Sequence, residues 1–130
     1  MPIKTKVPQG DILSIDIGGT NIKSCLLSPK GKLLTDFKKI PTPKNSTPEE
    51  VLKVIKKLCT DFKKFEKVSI GFPGYVKKGI VETAPNLAEN KWLNVDLAQQ
   101  VADMFGKPVR LINDADQQGL GIVSGKGFEI

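Results

Sequence analysis

Three short stretches of this 130-residue sequence carry side chains able to handle a phosphate or an alcohol. The first is Asp16-Ile17-Gly18-Gly19-Thr20-Asn21-Ile22-Lys23. Two adjacent glycines let a chain turn sharply with positive φ and come close to a ligand. The exposed N–H groups of Gly18 and Gly19, with the Thr20 hydroxyl and Lys23, can hold phosphate oxygens. Asp16 can orient a hydrated Mg²⁺, which favours carboxylate oxygen and retained water. An ordinary glycine hairpin with Asp16 in a local turn bond accounts for the same residues, and the pattern matches neither the Walker nor the dinucleotide fingerprint.

The second stretch is Asn113-Asp114, at the end of an apolar run and just before a helical pattern. Ligands of open α/β sheets gather at the carboxyl ends of strands. A carboxylate there can take the proton of a hydroxyl attacking phosphorus, which makes Asp114 a candidate general base. Asn113 can bond a sugar hydroxyl or hold Asp114. The commoner use of such an Asp, at 114 or 116, is to cap the helix. The third stretch joins Gly71-Phe72-Pro73-Gly74 to Pro85-Asn86-Leu87. Gly74 allows close backbone approach, and Asn86 is a polar group near Trp92. Turn chemistry, with Trp92 at the edge of the core, explains these residues equally well.

The elements that must position these stretches are legible as periodicities. Residues 11–17 and 22–27 read as two strands of a hairpin, and Lys32–Ile40 as a third after the Ser28-Pro29-Lys30-Gly31 turn, an antiparallel meander. Thr47-Pro48-Glu49-Glu50 is a helix start. Val51, Leu52, Ile55, Leu58, Cys59, Phe62 and Phe65 then form one helical stripe. Lys67–Phe72 is a fourth strand, and residues 75–83 a short hairpin around Lys77-Lys78-Gly79. Residues 84–93 read as irregular. A second helix spans Val95–Phe105 with Asn94 as cap and Gly106 as stop. Pro108–Ile112 is a fifth strand, followed by a third helix to about Ser124. The order β-β-β-α-β-α-β-α is an α/β chain with five strands.

Composition narrows the chemistry. There is no histidine, so no Ser/His/Asp or Cys/His machinery fits within these residues. Cys25 and Cys59 lie in apolar surroundings and read as small buried hydrophobes in a reducing compartment, not as a disulfide or metal site. The net charge of +6 comes from lysine, with Arg110 the only arginine. That favours a lysine-coated surface or a polyanionic ligand over a nucleic acid, whose readers use arginine and exposed aromatics. No apolar run approaches membrane-spanning length and no signal-peptide pattern opens the chain, so a cytoplasmic protein without membrane contact is expected.

Taken together, in this order and spacing, the three stretches resemble the ROK family of sugar kinases. That family has the actin-like ATPase (ribonuclease H-like) fold, which implies a mixed five-stranded sheet here. Residues 71–86, Lys91-Trp92-Leu93 and Asn113-Asp114-Ala115-Asp116 are most similar to the family's polyphosphate glucokinases. The resemblance implies transfer of a terminal phosphoryl group, from polyphosphate or ATP with Mg²⁺, to the 6-hydroxyl of glucose or a similar hexose. It implies Asp114 as catalytic base. Gly74, Asn86, Asn113 and Asp114 would touch sugar, and Gly18, Gly19, Thr20, Asn21 and Lys23 would lie near the phosphoryl donor. Asp16 would hold Mg²⁺ through water.

The likeness covers residues 11–127, after a tail over 1–10, and assigns them to the N-terminal domain. The C-terminal domain, with the family's second glycine-rich phosphate motif and nucleotide pocket, is expected to be absent. So is the family's zinc-binding Cys/His motif, and no helix-turn-helix of the repressor branch precedes the first strand. Full-length forms are expected to be homodimers through contacts beyond residue 130. Two other readings stay open: a lone half without activity of its own, and a non-catalytic sugar-binding module of the same fold.

Overall fold

The computed structural model describes residues 10–62, 64–84, 87 and 89–113, with Glu89 and Asn90 as backbone only. In chain order the elements are β1 (Ile12–Ile17), β2 (Asn21–Leu27), β3 (Lys38–Pro41), α1 (Pro48–Leu58) and β4 (Lys67–Phe72). They continue with β5 (Val76–Lys77), β6 (Ile80–Val81), α2 (Glu89–Trp92), α3 (Leu97–Phe105) and β7 (Val109–Asn113).

Alternating apolar residues make β1 and β2 an antiparallel pair, with Ile12 opposite Leu27 and Ile17 opposite Ile22. β3 extends the meander beside β2. The helical crossovers then bring β4 in parallel to β1, and β7 in parallel to β4. The result is a mixed five-stranded sheet of order β3-β2-β1-β4-β7. β4 is buried at every position, as expected of a central strand covered on both faces.

Leu13, Ile15 and Ile17 of β1, Val68, Ile70 and Phe72 of β4, and Val109 and Leu111 of β7 share one apolar cluster. Val51, Ile55 and Leu58 of α1 and Leu97 and Val101 of α3 join it, so both helices cover the same face of the sheet. Ile12, Cys25 and Leu27 form a small second cluster from the alternate positions, on the other face. Each large aliphatic side chain buried this way contributes about 1.5–3 kcal/mol.

Local chemistry explains where elements begin and end. Thr47 Oγ1 accepts from the Glu50 amide at 3.4 Å. Pro48 opens α1, Glu49 and Glu50 sit in its first turn, and Lys56 and Lys57 in its last, all favourable to the helix dipole. In the β5–β6 hairpin Lys78 and Gly79 take φ of 53° and 83°, the left-handed pair a tight hairpin turn requires. Gly106 caps α3 in the left-handed conformation, with its amide on Ala102 O at 2.7 Å.

Several boundaries differ from the sequence expectation. The third strand is shorter: Leu33 makes an isolated bridge to Leu27, and regular pairing resumes only at Lys38. Thr35 Oγ1 takes the Leu26 amide at 3.0 Å, so a side chain replaces the ladder there. α1 ends at Leu58 with Cys59 as cap, and Phe62 and Phe65 reach the core from the following loop. Asn94 is not the cap of the second long helix. It has φ of 63° and donates to Val81 O at 2.9 Å, while Val95 O accepts from Val81 at 2.9 Å. Those bonds tie 94–95 to β6, and Asp96 caps α3 by accepting from the Gln99 amide at 3.0 Å. Residues 89–92, read as irregular, form α2. Trp92 is not at the edge of the core but fully buried. The third helix, to Ser124, lies outside the described residues.

Among the described residues the lysine coat has one exception, because Lys67 is buried at the start of β4. Burial lowers its pKa, and the neighbouring charge of Arg110 lowers it further. Arg110 is itself buried and donates Nη2 to Ser69 Oγ at 3.0 Å. Both cysteines are free and buried, as expected. Among the described residues no helix is long and apolar enough to cross a membrane, and no three His, Cys, Asp or Glu side chains are grouped to hold a metal.

Candidate functional site

Because β1, β4 and β7 are parallel and adjacent, their carboxyl ends, Ile17, Phe72 and Asn113, open on one edge of the sheet. Two strand spacings separate β1 from β7, about 10 Å. That is the scale of one sugar carrying one phosphate. The Gly18–Thr20 turn therefore stands at one side of this edge, and Gly74 with Asn113 at the other.

On the first side the Gly18 amide donates to Asn21 O at 2.9 Å and closes the turn between β1 and β2. Neither Gly18 nor Gly19 is in the left-handed region, contrary to the expected positive φ. Glycine is required at 18 for space: a Cβ there would lie 2.9 Å from Asn21 O. Thr42, just past β3, holds the same turn from beside it. Its amide donates to Thr20 O at 2.9 Å, and its Oγ1 to Gly18 O at 2.6 Å. Gly19, Thr20 and Lys23 are exposed and Asn21 is half-buried. Among the described residues the Gly19 and Thr20 amides have no backbone acceptor. Asp16 is half-buried, opposite Lys23 of β2 and Gly71 of β4 in register, on the sheet face away from α1 and α3.

On the second side Asn113 Nδ2 donates to Gly74 O at 2.8 Å, so the last residue of β7 ties down the loop that leaves β4. Gly74 has no room for a side chain, since a Cβ would lie 1.9 Å from Thr83 O. Thr83 Oγ1 accepts the Tyr75 amide at 3.0 Å and completes the close approach. Behind this loop the Trp92 ring packs on Phe72, with centroids 5.0 Å apart, and its Nε1 donates to Ser46 O at 2.7 Å.

The structure thus brings together Asp16, Gly18, Gly19, Thr20, Asn21, Lys23, Gly74 and Asn113 at one sheet edge. Asn86 and Asp114 lie outside the described residues. Sequence reasoning missed Thr42, Thr83 and Ser46. Thr42 carried one local signal, its place just before Pro43, which disfavours the helical region. The other two act through long-range contacts that no local pattern announces.

A polar glycine turn facing a backbone-lined loop across parallel strand ends is the arrangement of a two-part small-molecule site. Residues 12–124 match the ROK family. The chain belongs to the ROK family. This ROK chain is 33% identical over 108 residues to polyphosphate glucokinase of Mycobacterium tuberculosis, covering 82% of the chain and 40% of that enzyme. It is 30% identical over 119 residues to glucokinase of Thermotoga maritima, covering 88% of the chain and 37% of that enzyme. Among solved structures it superposes on the inorganic polyphosphate/ATP-glucomannokinase of Arthrobacter sp. strain KM with a TM-score of 0.78 at 35% identity, covering 86% of this chain and 47% of that one. A ROK family glucokinase from Streptomyces griseus, in complex with glucose and AMPPNP, gives a TM-score of 0.73 at 29% identity, covering 87% and 38%. This ROK chain therefore has the actin-like sugar-kinase fold, and it spans less than half the length of these relatives.

Proposed function

We propose that residues 11–127 form the N-terminal domain of a glucokinase-like phosphotransferase, which moves a phosphoryl group from polyphosphate or ATP to the 6-hydroxyl of glucose. One observation carries the reading: the β1–β2 glycine turn and the Gly74–Asn113 pair lie at the same edge, about two strand spacings apart. The activities of the relatives supply the substrates. Gly74, Asn86 and Asn113 hold the sugar. Asp114, next in sequence to Asn113, accepts the hydroxyl proton as the oxygen attacks phosphorus. The Gly19, Thr20 and Asn21 amides, the Thr20 hydroxyl and Lys23 stabilise charge on the donor phosphates, so most of the catalysis is positioning and electrostatics. Asp16 would hold a Mg²⁺ through water from its half-buried place one residue before the end of β1, with Lys23 opposite it in the β1–β2 register. When bound, that ion offsets negative charge on the phosphoryl oxygens.

The test is a coupled kinase assay with glucose and, separately, ATP and polyphosphate, on the wild type and D114N. A general base contributes about 10²–10⁴-fold, so D114N should lose at least about a hundredfold in kcat with an unchanged melting temperature. Near-normal kcat in D114N would remove Asp114 from the role. On a second reading these 130 residues alone, which span 40% of the M. tuberculosis enzyme, bind sugar without turnover. Closure of a cleft between two domains is what excludes water from a transfer site. Glucose binding without turnover by either donor would select that reading.

A further inference from the structure

We propose that Thr42 is a positioning residue that fixes the phosphate-facing orientation of the Gly18–Gly19 peptide. The proposal rests on reading the 18–20 turn as the donor site. A peptide unit is planar and trans, so the carbonyl of residue 18 and the N–H of residue 19 point in opposite directions. Thr42 Oγ1 draws Gly18 O toward the β3 side of the turn at 2.6 Å. The Gly19 N–H must then point away from β3. The Thr42 amide does the same to Thr20 O at 2.9 Å, which fixes the direction of the Asn21 N–H.

Glycine on both sides of a peptide makes rotation of that plane inexpensive, because neither residue has a Cβ to oppose it. In the flipped state a carbonyl oxygen would take the place of the Gly19 N–H and repel a phosphate. Thr42 removes that state. Pro43 disfavours the helical region for Thr42, and β3 delivers it beside the turn through the pairing of Asn21 with Pro41. The hydroxyl, not the bulk, is the working group, since the 2.6 Å contact is made by Oγ1.

The experiment compares wild type, T42V, T42A and T42S in the 130-residue chain. Affinity for inorganic tripolyphosphate with Mg²⁺ is measured by titration calorimetry, and amide exchange at residues 18 and 42 by NMR. T42V and T42A should bind tripolyphosphate about tenfold more weakly, while T42S stays within about twofold of wild type. The Gly18 amide, which closes the turn on Asn21 O, should exchange at least about tenfold faster in T42V and T42A, with protection in β4 unchanged. Wild-type binding that T42V and T42A leave unweakened overturns the clamp alone. No tripolyphosphate binding by the wild type overturns the donor reading beneath it. Loss of fold in both T42V and T42A also overturns the proposal, because Thr42 would then hold the sheet and not the turn.

Discussion

The two sides of the sheet edge are built in opposite ways. The Gly18–Thr20 side is a surface turn whose working residues are exposed and whose shape is kept by three hydrogen bonds, two of them from Thr42. The Gly74–Asn113 side is backed by the buried Trp92 and Phe72 rings and closed by a backbone approach that leaves no room for a Cβ. On the proposed reading the first side binds phosphate through N–H groups facing solvent and gains little from burial, and the second holds a sugar against a fixed wall that is part of the core. Ligand affinity on the first side is therefore separable from stability, and on the second it is not.

The largest effect should come from attacking the wall. Trp92→Ala empties a fully buried site and removes the Nε1 bond to Ser46 O, and should cost about 3–5 kcal/mol in urea unfolding. Lys23→Ala on the exposed turn should stay within about 0.5 kcal/mol in the same measurement. Equal losses would erase the contrast.

A smaller effect comes from the packing of the α1 C-terminus on β2 and β3. Burial pushes the Cys59 thiol up to about 11, against a weaker opposing pull from Ser24 and Lys38. Between pH 9 and 11 the folded chain keeps a proton that the unfolded chain releases. Stability should then fall by roughly 2–3 kcal/mol as pH rises through that window. Lys67, with its lowered pKa, acts with the opposite sign, so the test is the difference between wild type and Cys59→Ala. The variant should lose this part of the alkaline decline in unfolding curves at pH 8, 10 and 11.

Much of this was legible in the sequence where short-range chemistry decides. β4 was read to the residue, because the alternating Val68, Ile70 and Phe72 stop at the Pro73-Gly74 turn. The Thr47 cap and the Lys78-Gly79 turn followed from side-chain and backbone preferences. The rest was settled by contacts between distant residues. Asn94 and Asp96 are both good caps, and only the bonds of 94–95 to Val81 choose between them. The reason for glycine at 18 was misassigned because a steric approach to Asn21 O looks, in sequence, the same as a need for positive φ. Thr42 stayed hidden because its partners are 22 and 24 residues away. The glycine turn, Gly74 and Asn113 were all named from residue type and spacing. Their meeting on one edge is a consequence of parallel pairing that periodicity alone does not give.

Backbone amide NMR of the chain during separate titrations with glucose and with tripolyphosphate tests this division most directly. Glucose should shift the signals of Gly74 and Asn113, and tripolyphosphate those of Gly19, Thr20 and Asn21, with the 28–37 loop at the far end of β2 unmoved. Shifts from both ligands confined to that loop, or glucose acting on the Gly18–Asn21 turn while Gly74 and Asn113 stay still, would contradict it.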